Sequence, residues 1–229
     1  MLVAAHQPNF LPWVGYFAKA FACDAFVLMD DARIPQGRSY ASRTKIRNGD
    51  DGRWLSLPIV KKSGQTYREA RIADASAYDQ HLRTLAHAYT KAPAAAEAMD
   101  FLRPLYEARP DFLIDFNLAF INGALDRLGH DKPRPLASEW ASGLAGSQWL
   151  ADLTVRAGGD AYLSGPGGAS YIDDADFAAR NVSLRYGSYE PKPYAAPGFA
   201  FQPGLSLVDA LFVVGFDGVR GLLDYSFKD

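Results

Sequence analysis

Two short runs near the start of the chain are wholly apolar. Leu2-Val3-Ala4-Ala5 and Ala25-Phe26-Val27-Leu28-Met29 contain no polar member. Neither shows the alternation of a half-exposed strand, so each reads as a strand buried on both faces. Between them lies His6-Gln7-Pro8-Asn9-Phe10-Leu11-Pro12-Trp13, with two prolines within five residues. That spacing predicts a turn, with Pro12 in the first turn of a helix running to about Ala22. Strand, loop, helix and strand in this order make a βαβ unit, and the two strands are expected to be parallel neighbours.

The pattern then changes. Residues 33–47 are basic and polar, 53–60 are strand-like, and Lys61-Lys62-Ser63-Gly64-Gln65 reads as a polar loop. Residues 78–128 read as helical, in segments punctuated by Pro93, Pro104 and Pro110. Residues 136–142 read as a connection and 148–158 as a helix. Asp160-Ala161-Tyr162-Leu163-Ser164-Gly165 reads as a strand entering a glycine-rich turn. A short strand follows at 182–186, a helix or buried turn at 205–212, and a tail at 221–227. No repeat or low-complexity linker interrupts the 229 residues. The expectation is a single α/β domain over 1–229: an N-terminal βαβ unit, a mainly parallel sheet and a helical middle section.

Composition narrows the function classes. Nearly half the chain is hydrophobic, enough for a sizeable core, and 24 basic residues nearly balance 26 acidic ones. A chain dedicated to nucleic acid usually shows a basic bias, so no nucleic-acid partner is expected. The single cysteine, Cys23, can form neither an internal disulfide nor a multi-cysteine zinc site. Neither a secretory signal nor an apolar run of about 20 residues is visible, so a cytoplasmic protein without a membrane span is expected.

Candidate chemistry gathers where strands end. His6 follows the first strand, and Asp30 and Asp31 follow the second. In an open α/β sheet ligands bind at the carboxyl ends of strands, so parallel neighbours would bring these three to one edge. A histidine beside carboxylates can act as a general base oriented by an acid. The alternative is that His6 packs in the core and Asp30 caps a loop. Gln7 and Asn9 beside it could fix a substrate through their amides. Arg33, Arg38, Arg43, Lys45 and Lys61 form a basic set that either holds a phosphate-bearing group or forms a solvated face. Ser164 and Gly165 lie at another strand-to-loop junction, where backbone amides can cradle an anion. Asp209 stands in an apolar stretch and must be paired or hydrogen-bonded if buried. There is no zinc-ligand spacing, phosphate-binding lysine loop or nucleophile elbow, and no metal or other cofactor is expected. Acidic Asp24 next to Cys23 disfavours a thiolate there.

Several of these segments together resemble the WbqC-like family. They are His6-Gln7-Pro8-Asn9-Phe10-Leu11-Pro12-Trp13-Val14-Gly15-Tyr16-Phe17, Asp30-Asp31, Arg43-Thr44-Lys45-Ile46 and Trp54-Leu55-Ser56-Leu57-Pro58-Ile59. Tyr162-Leu163-Ser164-Gly165, Tyr171-Ile172 and Leu205 through Phe212 continue the likeness in order. The resemblance implies a small enzyme of O-antigen or related surface-polysaccharide biosynthesis, or of a secondary-metabolite pathway. Its implied activity is amide formation: an acyl or aminoacyl transferase joining a small-molecule amine, such as an amino sugar, to a thioester on an acyl carrier protein or coenzyme A. Two readings compete with it: an ATP-dependent amide ligase related to nucleotidyl-transfer folds, and a non-catalytic nucleotide-sugar-binding module.

Overall fold

The computed structural model describes residues 1–37, 39–49, 51–140 and 142–228. Its centre is a five-stranded sheet in the order β2-β1-β5-β6-β7. Strand β1 (Leu2–His6) pairs in parallel with β2 (Ala25–Leu28), His6 opposite Leu28, and helix α1 (Val14–Phe21) joins them. The expected βαβ unit is therefore present. On its other side β1 pairs in parallel with β5 (Ala161–Ser164), which pairs in parallel with β6 (Ser183–Ser188). Short α6 (Asp174–Ala178) crosses between those two. Strand β7 (Ser226–Lys228) closes that edge antiparallel to β6, where the sequence suggested only a tail.

The apolar runs lie in strands covered on both faces. Val3, Ala5, Ala25, Val27 and Tyr162 pack with Trp149, Leu150 and Leu153 of α5 (Gly146–Arg156) and with Phe177 of α6. Ala4, Phe26, Leu28 and Leu163 belong to the larger core on the opposite side, with Phe17 of α1. This period-2 division between two helical layers explains why these strands show no polar alternation. Residues 133–136 cover the outer edge of β2: the N–H groups of Phe26 and Leu28 donate to the carbonyls of Pro133 and Pro135, at 3.0 Å each. A sheet edge that would otherwise be open is thus covered.

The helical middle comprises α2 (Ser76–Ala88), α3 (Ala95–Glu107) and α4 (Leu113–Leu128). Pro93 and Pro110 lie in the breaks between them, but Pro104 lies inside α3. Proline lacks only one donor there, in the last turn, while Leu102 and Tyr106 on either side are fully buried and hold the segment helical. Helix α1 starts at Val14 rather than taking in Pro12. Trp13 is extended and bridges to Ser206, which draws Pro12 and Trp13 out of the helix.

The segment expected to end near Phe212 continues as α7 (Leu207–Arg220), kinked at Gly215. Gly215 has φ 67°, a left-handed conformation that favours glycine, and a Cβ there would push aside the Glu97 carboxylate now 2.5 Å from that position. The basic region contributes a separate antiparallel hairpin, β3 (Arg43–Asn48) and β4 (Asp51–Ser56). Among the described residues no helix is long and apolar enough to cross a membrane.

Candidate functional site

Connections leave the parallel sheet in opposite directions: from β1 through α1 to β2 on one side, and from β5 through α6 to β6 on the other. The switch therefore falls between β1 and β5, where an open α/β sheet forms its ligand crevice. His6 stands at the carboxyl end of β1, beside that switch.

The loop from His6 to Trp13 is held from many sides. Leu11 takes φ 43°, a left-handed conformation that costs a non-glycine residue energy and persists only where surroundings impose it. Its carbonyl accepts from the Thr44 hydroxyl at 3.0 Å and the Ser206 hydroxyl at 2.8 Å. The Ser206 oxygen also accepts from the N–H of Val208, capping α7. Fully buried Asn117 of α4 donates to the Pro8 carbonyl at 2.7 Å and the Ala41 carbonyl at 2.9 Å. The Phe10 N–H donates to the Tyr40 carbonyl, and the Leu207 N–H to the Pro12 carbonyl.

Under this loop opens a cavity of about 420 Å³, lined by His6, Asn9, Pro12, Trp13, Tyr40 and Thr44 among others. His6 Nδ1 lies 3.0 Å from the Gln7 carbonyl. A carbonyl can only accept, so this contact places the proton of the neutral ring on Nδ1 and leaves the Nε2 lone pair without a hydrogen-bond partner among the described residues. Burial first, and then the Lys19 ammonium, lower the His6 pKa to about 4 against the raising effect of the Gln7 carbonyl. The ring is therefore neutral at ordinary pH. Lys19 itself is buried, donates to the Ala5 carbonyl at 3.2 Å, and is brought down to about 8 by loss of hydration.

A hydrogen bond orients Asn9: the Tyr67 hydroxyl donates to Asn9 Oδ1 at 2.9 Å. With its oxygen engaged, Asn9 keeps Nδ2 as a donor to whatever occupies the cavity.

The other expected site residues are distributed differently. Asp30 is fully buried; its carboxylate accepts from Arg68 at 2.7 Å, from the Ser138 hydroxyl at 2.7 Å and from the Ser138 N–H at 3.0 Å. The ring hydrogen bond of His6 runs to Gln7, not to this carboxylate. Asp31 Oδ1 is buried without a partner among the described residues. Burial raises its pKa, and neighbouring Asp30 raises it further. Gln7 contributes its carbonyl, which also accepts from the Asn9 N–H. Ser164 is buried, donates to the Gly165 carbonyl at 3.1 Å and packs over Gly168, where a Cβ would sit 1.8 Å from its oxygen; Ser164 and Gly165 do not line the cavity beside His6. Lys45 lies along the hairpin over Gly52. Arg38 lies outside the described residues.

Arg43 and Lys61 come together across a second cavity of about 480 Å³, beside the first. The Arg43 guanidinium stacks 4.0 Å from the ring of exposed Trp54, whose ring lies 5.8 Å from that of exposed Tyr40. Sequence reasoning missed Lys19, Thr44, Tyr67 and Ser206 because their roles come from partners distant along the chain. Burial pushes the Cys23 thiol up to about 11, so it is an inert thiol rather than a nucleophile. Asp209 is paired as its setting demanded, accepting two bonds from Arg47 and one each from Tyr89 and Tyr194.

An α/β sheet with a tightly braced loop at its switch point is the class of protein defined here. The profile of the WbqC-like protein family matches residues 7–221, and the chain belongs to that family. It is also 31% identical over 219 residues to the uncharacterized protein Rv1507c of Mycobacterium tuberculosis, covering 93% of this chain and 94% of the relative.

Proposed function

We propose that the protein is a small amide-forming enzyme, an acyl or aminoacyl transferase that moves an acyl group from a thioester to a small-molecule amine, such as an amino sugar, in a surface-polysaccharide or secondary-metabolite pathway. The observation that carries this reading is a neutral His6 with a free Nε2, facing a cavity at the sheet's switch point. The amine lone pair forms the new C–N bond, and the carbonyl electrons move onto oxygen. Bonding to carbon makes the attacking nitrogen strongly acidic, so even a weakly basic imidazole can take its proton. Collapse of the adduct then breaks the C–S bond, and the imidazolium returns the proton to the departing thiolate. A low-pKa imidazole suits this return, because its protonated form gives the proton up readily. Asn9 Nδ2 is the donor for the transient oxyanion. Gln7 sets the tautomer of the base, and Asp30, held by Arg68 and Ser138, stands with Asp31 at the neighbouring strand end.

Single-turnover kinetics over a panel of acyl-coenzyme A donors and amino-sugar acceptors test the assignment. His6→Ala should lose about 10²–10⁴ in rate with an unchanged circular dichroism spectrum. Turnover close to wild type in the folded variant would rule the base out. Exposed Trp13, Tyr40 and Trp54 favour a second reading, a non-catalytic nucleotide-sugar-binding module. Saturable nucleotide-sugar binding without turnover on any donor would select it.

A further inference from the structure

We infer that the basic cavity next to the His6 cavity is a binding site for a diphosphate-bearing small molecule. The inference goes beyond the reading of His6, because the two cavities share no lining residue.

The walls carry Arg43, Lys61 and Lys62, with hydroxyls from Ser42 and Ser56, and among the described residues no carboxylate lines the cavity. These like charges border one space, where they favour an anion, although exposed Lys62 also feels the Glu69 carboxylate. Arg43 is the decisive member. Its Nε is buried and has no hydrogen-bond partner among the described residues. A guanidinium that is not committed to a carboxylate can take up an anion without giving up a protein partner. Stacking on Trp54 fixes the guanidinium plane, so its N–H edges are aligned before any ligand arrives. Such a planar fork matches phosphoryl oxygens in pairs, while Lys61 and Lys62 add point charge from the facing loop.

The volume, about 480 Å³, is that of a small-molecule site rather than a seat for one ion. Sequence neighbours line the two cavities, Ser39 and Arg43 in this one, Tyr40 and Thr44 in the other. A molecule held here by its diphosphate can therefore extend past residues 39–44 toward His6. Coenzyme A, a nucleotide sugar and a nucleoside triphosphate all carry the required group.

Isothermal titration of the full chain with inorganic pyrophosphate tests the site without requiring turnover. Binding should be saturable and weaken with added salt. Arg43→Ala should weaken it roughly tenfold or more, the scale of one charge-assisted bond. A Lys61→Ala/Lys62→Ala double variant, both residues being exposed, should also weaken it without unfolding risk. Arg53→Ala, an exposed hairpin arginine lining neither cavity, should not. His6→Ala should bind as wild type does, so a failed transferase reading would leave this result standing. Titrations with coenzyme A, UDP and ADP then identify the source, the true one binding more tightly than pyrophosphate. No binding of pyrophosphate or any of the three, or equal affinity in folded Arg43→Ala and the double variant, would overturn the site.

Discussion

Arg43 and Arg47 leave the same strand four residues apart, and the two ends of β3 treat their guanidinium groups differently. At Arg47 the group is buried; Nε and Nη2 reach the two oxygens of Asp209 at 2.9 and 3.0 Å, and Nη1 donates to the Ala200 carbonyl at 2.8 Å. Tyr89 and Tyr194 donate to the same carboxylate, and Tyr89 stacks on Phe212 with ring centres 4.2 Å apart. At Arg43 the group is half-buried, stacked on Trp54, and its Nε has no partner among the described residues. Full pairing makes Arg47 a brace between the hairpin and α7. Incomplete pairing leaves Arg43 able to gain from a ligand. An arginine codon says nothing of this difference, which lies in whether a buried carboxylate stands opposite.

The largest effect that would sharpen the comparison is on stability. Asp209→Ala leaves the Arg47 charge buried and uncompensated, which costs about 3–5 kcal/mol, or roughly 10 °C in Tm for a chain of this length. Arg43→Ala, by contrast, should change stability by about 1 kcal/mol or less. Urea unfolding of both variants gives the contrast directly, and equal destabilisation would erase it.

Next in size is the response to acid. His6 and His81 both have pKa values brought down to about 4 from 6.5, chiefly by burial. Between those pH values the unfolded chain binds more protons than the folded one, so stability falls as pH is lowered from about 6.5 to about 4. Denaturant midpoints across this window should show the decline, and His81→Asn should flatten it. A midpoint independent of pH would mean that these rings are hydrated. Turnover that depends on neutral His6 should likewise persist down to about pH 5 and be lost below.

The smallest effect concerns the brace on the loop. Thr44→Val removes one of two hydroxyls from the Leu11 carbonyl, and Ser206 keeps the other bond. A loss of about 1 kcal/mol is expected, with hydrogen exchange at the N–H of Phe10 rising more than in β5. Unchanged protection at Phe10 would show that the loop does not depend on the hairpin.

The strands β1, β2 and β5 and the helices of the middle section were legible because each is a local pattern: an unbroken apolar run, or a helical period between prolines. The chain past Phe212 was not, since Gly215 and Gly218 read as breakers while burial of Phe216 and Val219 carries α7 on. Strand β7 was illegible because three residues hold no pattern, and its existence depends on an edge that β6 offers 40 residues earlier.

The candidate site divides in the same way. The sequence by itself determined that His6, Asp30 and Ser164 stand at strand ends, because strand termini follow from where apolar runs stop. It also determined that a buried Asp209 needs partners. Only the tertiary structure decided which partners are met. Asp30 faces Arg68 and Ser138, the His6 proton lies toward Gln7, Asn9 is turned by Tyr67, and Arg43 rather than Arg47 is left with an open bond. The physical reason is range. Burial and periodicity are set by neighbours within a few residues. A hydrogen bond or ion pair depends on groups that only the packed chain brings within 3 Å, such as Arg47 and Asp209 across 162 residues.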